Sequence, residues 1–160
     1  MFNSSNSQIS SNDSQSLNPH VAVLIVEDSA SHRTIYRRYL QSDITTRYHI
    51  IESACVKEAL EFWRSHQVDL VVLDFNLPDG TALDFLEAVS EGITDLKLPV
   101  IVLTGHKDGL AAANAIKLGA TDYLIKDEIN FALFCRSIHS LLEKFTLLRK
   151  LQRSQQQEAL

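Results

Sequence analysis

Only two of the 160 residues are cysteine, Cys55 and Cys135, and they stand far apart in no metal-type spacing. That argues against a disulfide framework or a thiolate zinc site and for a reduced, cytoplasmic chain. No apolar run reaches the roughly 18 residues of a membrane-spanning helix. The N-terminus also lacks the basic and apolar regions of a secretory signal, so no membrane insertion is expected. Basic charge is short as well: 15 Lys and Arg against 20 Asp and Glu leave a net charge of −5. Without a basic stripe the chain offers little to a phosphate backbone, and direct nucleic-acid binding is not expected. Too few residues follow Leu142 to form a helix-turn-helix unit. No short internal repeat is present. His20, His32, His49, His66 and His139 show no ligand spacing, and none is read as a metal ligand or phosphorylated residue.

What is present is ordinary for a globular protein: 45% hydrophobic and 22% charged residues. One domain with extensions is expected. Residues 1–19 are dominated by Ser, Asn and Gln, too poor in apolar side chains to offset ordering entropy, and are read as a disordered tail closed by Pro19. Residues 20–142 form the domain, and residues 143–160 a helical extension. Short apolar runs at His20–Val26, Val68–Asp74 and Pro99–Thr104 read as strands buried on both faces. Tyr48–Ser53 and Thr121–Lys126 complete the set.

Between them lie helical patterns. Ser29–Leu40 has Asp28 or Ser29 as cap and a stripe of Ile35, Tyr36, Tyr39 and Leu40. Val56–His66 turns Ala59, Leu60, Phe62 and Trp63 to the core. Thr81–Ser90 carries Leu83, Phe85, Leu86 and Val89, with Gly92 as C-cap. Asp108–Leu118 is Ala-rich and ended by Gly119. A long last helix runs from Asn130 to about Gln155. Strand and helix alternate five times. The expected fold is α/β, a doubly wound, flavodoxin-like (βα)5 sheet of five parallel strands in the order 2-1-3-4-5, with an extended C-terminal helix.

In such a sheet, ligands collect at the carboxyl ends of the strands. Here the first strand ends in Glu27-Asp28, the third in Asp74, the fourth in Thr104 and the fifth in Lys126. Crowded carboxylates raise one another's proton affinity, and a hard divalent cation relieves that repulsion. Mg²⁺, or Mn²⁺, suits a few carboxylates with water and phosphate oxygens. Lys126 adds a point charge suited to a phosphoryl group, and Thr104 a hydroxyl donor.

These residues resemble the receiver domain of two-component response regulators. The resemblance runs from about Val21 to Leu142 and rests on Glu27-Asp28, Asp74, Leu77-Pro78-Asp79-Gly80, Thr104-Gly105 and Asp122-Tyr123-Leu124-Ile125-Lys126. The spacings match too, 30 residues from Asp74 to Thr104 and 52 to Lys126. It implies a phosphoacceptor, Asp74, that takes a phosphoryl group from a sensor histidine kinase or phosphotransfer protein in a two-component phosphorelay. Asp28, Asp74 and the backbone carbonyl of Asn76 would hold Mg²⁺, with Glu27 reaching it directly or through water. Lys126 and Thr104 would bind phosphoryl oxygens, and Gly105 would leave room for the group. Thr104 and Tyr123 would form the switch, while Asn76 and His106 would tune the lifetime of the acyl phosphate.

The chain departs from the family pattern after Lys126. Asp127 stands where a proline is usual, often behind a cis bond, and a cis bond before a non-proline costs roughly 3–4 kcal/mol. The last helix is also longer than a receiver's ordinarily is. Ile138, Leu141, Phe145 and Leu148 follow at spacings of 3, 4 and 3, the period of a coiled-coil seam. A parallel homodimeric stalk and a helix folded back on its own domain both fit that spacing. A stand-alone regulator and the N-terminal receiver of a larger sensor or hybrid kinase are both compatible with the motifs. Two other functions compete with the switch. One is a receiver-fold interaction module that is never phosphorylated. The other is an aspartate-nucleophile phosphohydrolase, which usually carries a second acid where Asn76 stands.

Overall fold

The computed structural model describes residues 20–93, 95–105 and 108–158. The expected tail at residues 1–19 and the tuning position His106 lie outside the described residues. The elements in chain order are β1 (Val21–Val26), α1 (Ala30–Ser42), β2 (Tyr48–Ser53), α2 (Val56–Ser65) and β3 (Leu70–Asp74). There follow a short hairpin of β4 (Asn76–Leu77) and β5 (Gly80–Thr81), then α3 (Ala82–Ser90), β6 (Leu98–Thr104), α4 (Gly109–Lys117) and β7 (Ala120–Ile125). A 3₁₀ turn at Lys126–Glu128 leads into α5 (Phe131–Glu158).

Five strands form one parallel sheet in the order β2-β1-β3-β6-β7. Counted over these strands alone, that is the expected 2-1-3-4-5. β3 lies at its centre and is buried along its whole length, which is why Leu70–Leu73 is an unbroken apolar run rather than an alternating one. Alternate side chains go to opposite faces. Leu24, Val26, Val71, Leu73, Val100 and Val102 pack toward α2, α3 and α4, where Phe85 and Leu86 are fully buried. Val23, Ile25, Leu70, Val72, Ile101 and Leu103 pack toward α1 and α5, against Tyr36, Phe134 and Ile138. Each fully buried Val, Leu or Ile stabilises by roughly 1.5–3 kcal/mol, so this double-sided core is what holds the strand ends in register.

Local chemistry sets the helix starts. Ser29 caps α1, accepting from the backbone N–H of His32, and Asp108 caps α4 by accepting from Ala111. Thr81 and Asp84 form a reciprocal capping box on α3. Cys55 precedes α2 without a side-chain cap. Its role is taken by Asp79, whose two carboxylate oxygens accept from Val56 N–H (2.8 Å) and Lys57 N–H (2.9 Å). These bonds hold the Asp79 carboxyl below its usual range. The exit from α4 requires Gly119: its φ is +110°, and a Cβ there would run into the backbone carbonyl of Leu96.

Several details differ from expectation. The β4–β5 hairpin occupies a stretch read as loop, because two-residue strands carry no periodicity. Ile35, placed on the apolar stripe of α1, is 42% exposed, while its neighbours Tyr36 and Leu40 are buried. The C-cap of α3 is Glu91, at φ 52°, with Gly92 following it. The bond after Lys126 is trans, and no cis peptide occurs among the described residues.

α5 also diverges from the coiled-coil reading. Ile138 and Leu141 are buried in the domain's own core, and Phe145 packs against the same cluster. These three of the four seam residues therefore pack within the chain, while the fourth, Leu148, is 37% exposed. Further along, Arg149 Nη2 lies 3.9 Å from Asp69 Oδ1, and Asp69 in turn accepts from Ala22 N–H at 2.8 Å. Leu147 (54%) and Leu151 (59%) stay exposed. Among the described residues no helix is long and apolar enough to cross a membrane.

Candidate functional site

Because all five strands of the sheet run the same way, their carboxyl ends share one edge. Val26 pairs with Leu73 and Asp74 with Leu103, so the chain just beyond β1 stands next to the last residue of β3. Thr104 pairs with Ile125, which brings the residue after β7 to the same edge. Register alone thus collects Glu27, Asp28, Asp74, Thr104 and Lys126.

One carboxylate oxygen from each of Glu27, Asp28 and Asp74 lies within 4.8 Å of the other two. Glu27 and Asp74 are buried and Asp28 is exposed, so the group opens outward through Asp28. Lys126 Nζ lies 2.9 Å from Asp74 Oδ2 and 3.2 Å from Glu27 Oε2. Burial of Glu27, with the charge of Asp74 added to it, pushes its carboxyl up to about 7, against the Ser29 N–H and Lys126, which work the other way. Burial works to lower Lys126, but its bonds and charge pairing with Asp74 and Glu27 outweigh that and hold the ammonium above its ordinary range.

Three carboxyl groups facing one ammonium leave negative charge uncompensated at a largely buried position. The all-oxygen donor set is the kind a hard divalent cation takes, and such an ion would relieve the repulsion that raises Glu27. The residues present fit a magnesium-type ion. Glu27, Asp28 and Asp74 are the side chains that could hold it.

The other expected residues fall at or near this edge. Thr104 is buried, 2% exposed, at the end of β6. Gly105 is exposed, and among the described residues other than its chain neighbours nothing stands within 4 Å of the place a Cβ would occupy. Asn76 opens the hairpin two residues after Asp74 and pairs with Thr81. Tyr123 is on β7 beside Val102, its ring 42% exposed.

Three neighbours of the site have no role there assigned from the sequence, where Arg33 goes unremarked, His32 is read as no metal ligand and Asp79 appears only within the Leu77-Pro78-Asp79-Gly80 motif. Arg33 Nη1 donates to the backbone carbonyls of Glu27 (2.6 Å) and Asp28 (3.2 Å). His32 Nδ1 lies 3.7 Å from Glu27 Oε1. Asp79 ties the hairpin to α2. Only Asp79 had a legible signal: a helix that starts behind cysteine lacks a local cap and must find one elsewhere.

Residues 23–136 match the sequence profile of the response regulator receiver domain. The methanogenesis regulatory protein FilR1 of Methanothrix harundinacea is 36% identical over 108 residues, which are 66% of this chain and 24% of FilR1. The acid tolerance regulatory protein ActR of Rhizobium meliloti is 35% identical over 129 residues, 78% of this chain and 63% of ActR. Among solved structures, the signal receiver domain of a LuxO repressor protein from Vibrio parahaemolyticus superposes with a TM-score of 0.73 at 29% identity. That match covers 83% of this chain and 98% of the LuxO one. The chain thus spans less than two thirds of the length of either regulatory protein.

Proposed function

The chain belongs to the response regulator receiver family, and we propose that it is a phosphoacceptor switch with Asp74 as the acceptor. An oxygen of Asp74 attacks the phosphorus of a phosphohistidine on a sensor histidine kinase or phosphotransfer protein. The P–N bond breaks, a P–O bond to Asp74 forms, and the imidazole leaves with a proton drawn from solvent. A bound Mg²⁺ or Mn²⁺ ion supplies neutralisation of the phosphoryl charge, the main demand of this reaction besides alignment. Lys126 pairs with one phosphoryl oxygen, Thr104 donates to another, and Gly105 keeps that side open. The protein catalyses only its own phosphorylation and dephosphorylation.

The observation that carries this reading is the Lys126–Asp74 pair at 2.9 Å, set beside three acids that each bring one oxygen within 4.8 Å of the others. A cation already paired with the acceptor oxygen is placed to follow the charge onto the phosphoryl group. In the arrangement described, the Tyr123 ring faces outward. Once Thr104 is drawn toward a phosphoryl group, the space it leaves admits that ring, so phosphorylation shifts the balance between two arrangements of this face. Both cysteines are free, in keeping with a reducing, cytoplasmic setting. The exposed Leu147, Leu148 and Leu151 of α5 supply the contact for a homodimer.

Incubation with Mg²⁺ and a small acyl-phosphate donor tests the proposal. Stable label on the unsubstituted protein and none on Asp74→Asn is the expected result. Rapid multiple turnover would instead make the protein a phosphohydrolase, and absence of label an interaction module.

A further inference from the structure

We propose that Arg33 is a positioning residue for the metal acids, fixing Glu27 and Asp28 through their backbone. The inference rests on the metal-dependent reading of the site. Glu27 marks the end of the β1 ladder: its N–H still bonds to the Ser53 carbonyl at 2.9 Å. The carbonyls of Glu27 and Asp28 lie in the turn between that last rung and the first turn of α1. Arg33 Nη1 donates to both, at 2.6 and 3.2 Å.

Those two carbonyls set the planes of the peptides that carry the acidic Cα–Cβ bonds. Holding both from one planar head therefore fixes where the carboxylates project. A guanidinium does this better than an ammonium, because Nη1 donates to both carbonyls while Nε of the same rigid plane faces Glu52.

The head is itself held. Arg33 Nε lies 3.7 Å from Glu52 Oε1, and Glu52 Oε2 accepts from Arg37 Nη1 at 2.7 Å. Arg37 Nη2 in turn donates to Thr34 Oγ1 at 3.2 Å. Glu52 sits on β2 directly beside Ile25 of β1. The edge strand, the first helix and the acid-bearing turn are thus joined through one half-buried arginine. Groups just outside a metal's own ligands typically change affinity 10- to 100-fold when removed.

The sign of the effect separates positioning from charge. Arg33 is a cation beside a cation site, so by Coulomb's law alone its removal tightens metal binding. Positioning demands the opposite. The test is Mn²⁺ titration of the full chain, reading free Mn²⁺ by electron paramagnetic resonance, for the unsubstituted protein, Arg33→Ala and Arg33→Lys. Metal-free melting curves confirm that each variant is folded at the titration temperature.

Arg33→Ala is expected to bind Mn²⁺ roughly 10-fold more weakly. Arg33→Lys, which keeps the charge but has no second nitrogen to meet Glu52 while the first holds the carbonyls, should also bind more weakly than the unsubstituted protein. If Arg33→Ala does not fold, Arg33→Lys decides alone: weaker binding supports the role, equal or tighter binding overturns it. Unweakened binding by a folded Arg33→Ala likewise overturns the role of Arg33 and leaves the metal site standing. No Mn²⁺ binding by the unsubstituted protein overturns the reading of the site, and this inference with it.

Discussion

Lys126 Nζ lies 2.9 Å from Asp74 Oδ2, across the edge of the sheet, although aspartate rather than proline follows the lysine. The chain turns there through a trans bond and a 3₁₀ turn, with the Ile129 N–H donating to the Lys126 carbonyl at 3.3 Å. What sets the lysine is the register of β7, where Ile125 sits beside Thr104 and the next residue faces the acids. The residue after Lys126 belongs to the 3₁₀ turn that leads to α5 and lies beyond that register.

Replacing this lysine should therefore have two effects of opposite direction. Lys126→Ala is expected to take label from a small phosphodonor on the order of 10²-fold more slowly, the usual scale for losing one group aimed at developing charge. The same variant should bind Mn²⁺ more tightly, because Lys126 competes with the metal for Asp74 and Glu27. Initial labelling rates and a Mn²⁺ titration on one preparation check both. Labelling at the unsubstituted rate would remove Lys126 from the chemistry.

Glu27 makes stability depend on pH in a predictable direction. Burial, with the Asp74 charge, raises its carboxyl from 4.5 to about 7. Between those values the folded chain keeps a proton that the unfolded chain has lost, so stability falls as pH rises through this window and levels off above it. The contribution is a few kcal/mol at most. Measured against Glu27→Gln, the metal-free protein should melt at a higher temperature near about pH 5 than near about pH 8. Millimolar Mg²⁺ should raise the melting temperature more at the higher pH, where Glu27 is free to pair with it. Calorimetric scans of the protein and of Glu27→Gln, which should flatten the slope, provide the check.

The strand-end acids were legible because a buried parallel strand is an apolar run, and a polar residue that stops it stands out at once. Glu27, Asp28, Asp74 and Thr104 are marked in this way, whereas Lys126 follows a strand that contains Thr121, Asp122 and Tyr123 and stands out by its spacing from Asp74. Arg33 is not marked: arginine on a first helical turn looks like surface, and only the folded backbone shows which carbonyls it reaches. The seam on α5 was ambiguous for a physical reason. Ile138, Leu141 and Phe145 have the spacing of any helix with one apolar stripe, and that stripe fits the chain's own sheet as well as a second helix.

Asp43 illustrates a contact that sequence could not show. It lies just past α1, yet its carboxylate gathers groups from β2 and α5. Oδ1 accepts from the Thr45 N–H (2.9 Å) and hydroxyl (2.6 Å), and Oδ2 from the Tyr48 hydroxyl at 2.7 Å. His139 Nε2 lies 2.6 Å from the same Oδ2. Burial works to raise this carboxyl, but the bonds from Thr45, Tyr48 and His139 outweigh it and bring it down to about 2. A depressed carboxyl stabilises the fold above its unfolded value, and that stability is lost as pH falls through the folded one. Asp43→Asn should cost about 1–3 kcal/mol at neutral pH. In denaturant titrations the gap to the unsubstituted protein should narrow as pH drops from about 4 toward 2. A gap that stays constant would assign the loss to packing rather than charge.

The outer end of α5 carries the remaining prediction. Leu147, Leu148 and Leu151 are exposed at 54%, 37% and 59%, on a helix whose inner face is already filled by Ile138, Leu141 and Phe145. A dimer built on these leucines can be broken without touching the domain's core. Leu147→Glu with Leu151→Glu should leave the melting temperature of a dilute sample unchanged, since neither side chain is buried within the chain. If α5 pairs with a second copy, sedimentation of the unsubstituted protein should show mass rising with concentration, and the double variant should remain monomeric over the same range. Truncation after Leu142 would not make this distinction, because it also removes Phe145 from the core. Equal masses for the double variant and the unsubstituted protein at every concentration would end the case for a dimer through these leucines and leave α5 as a helix packed along its own sheet.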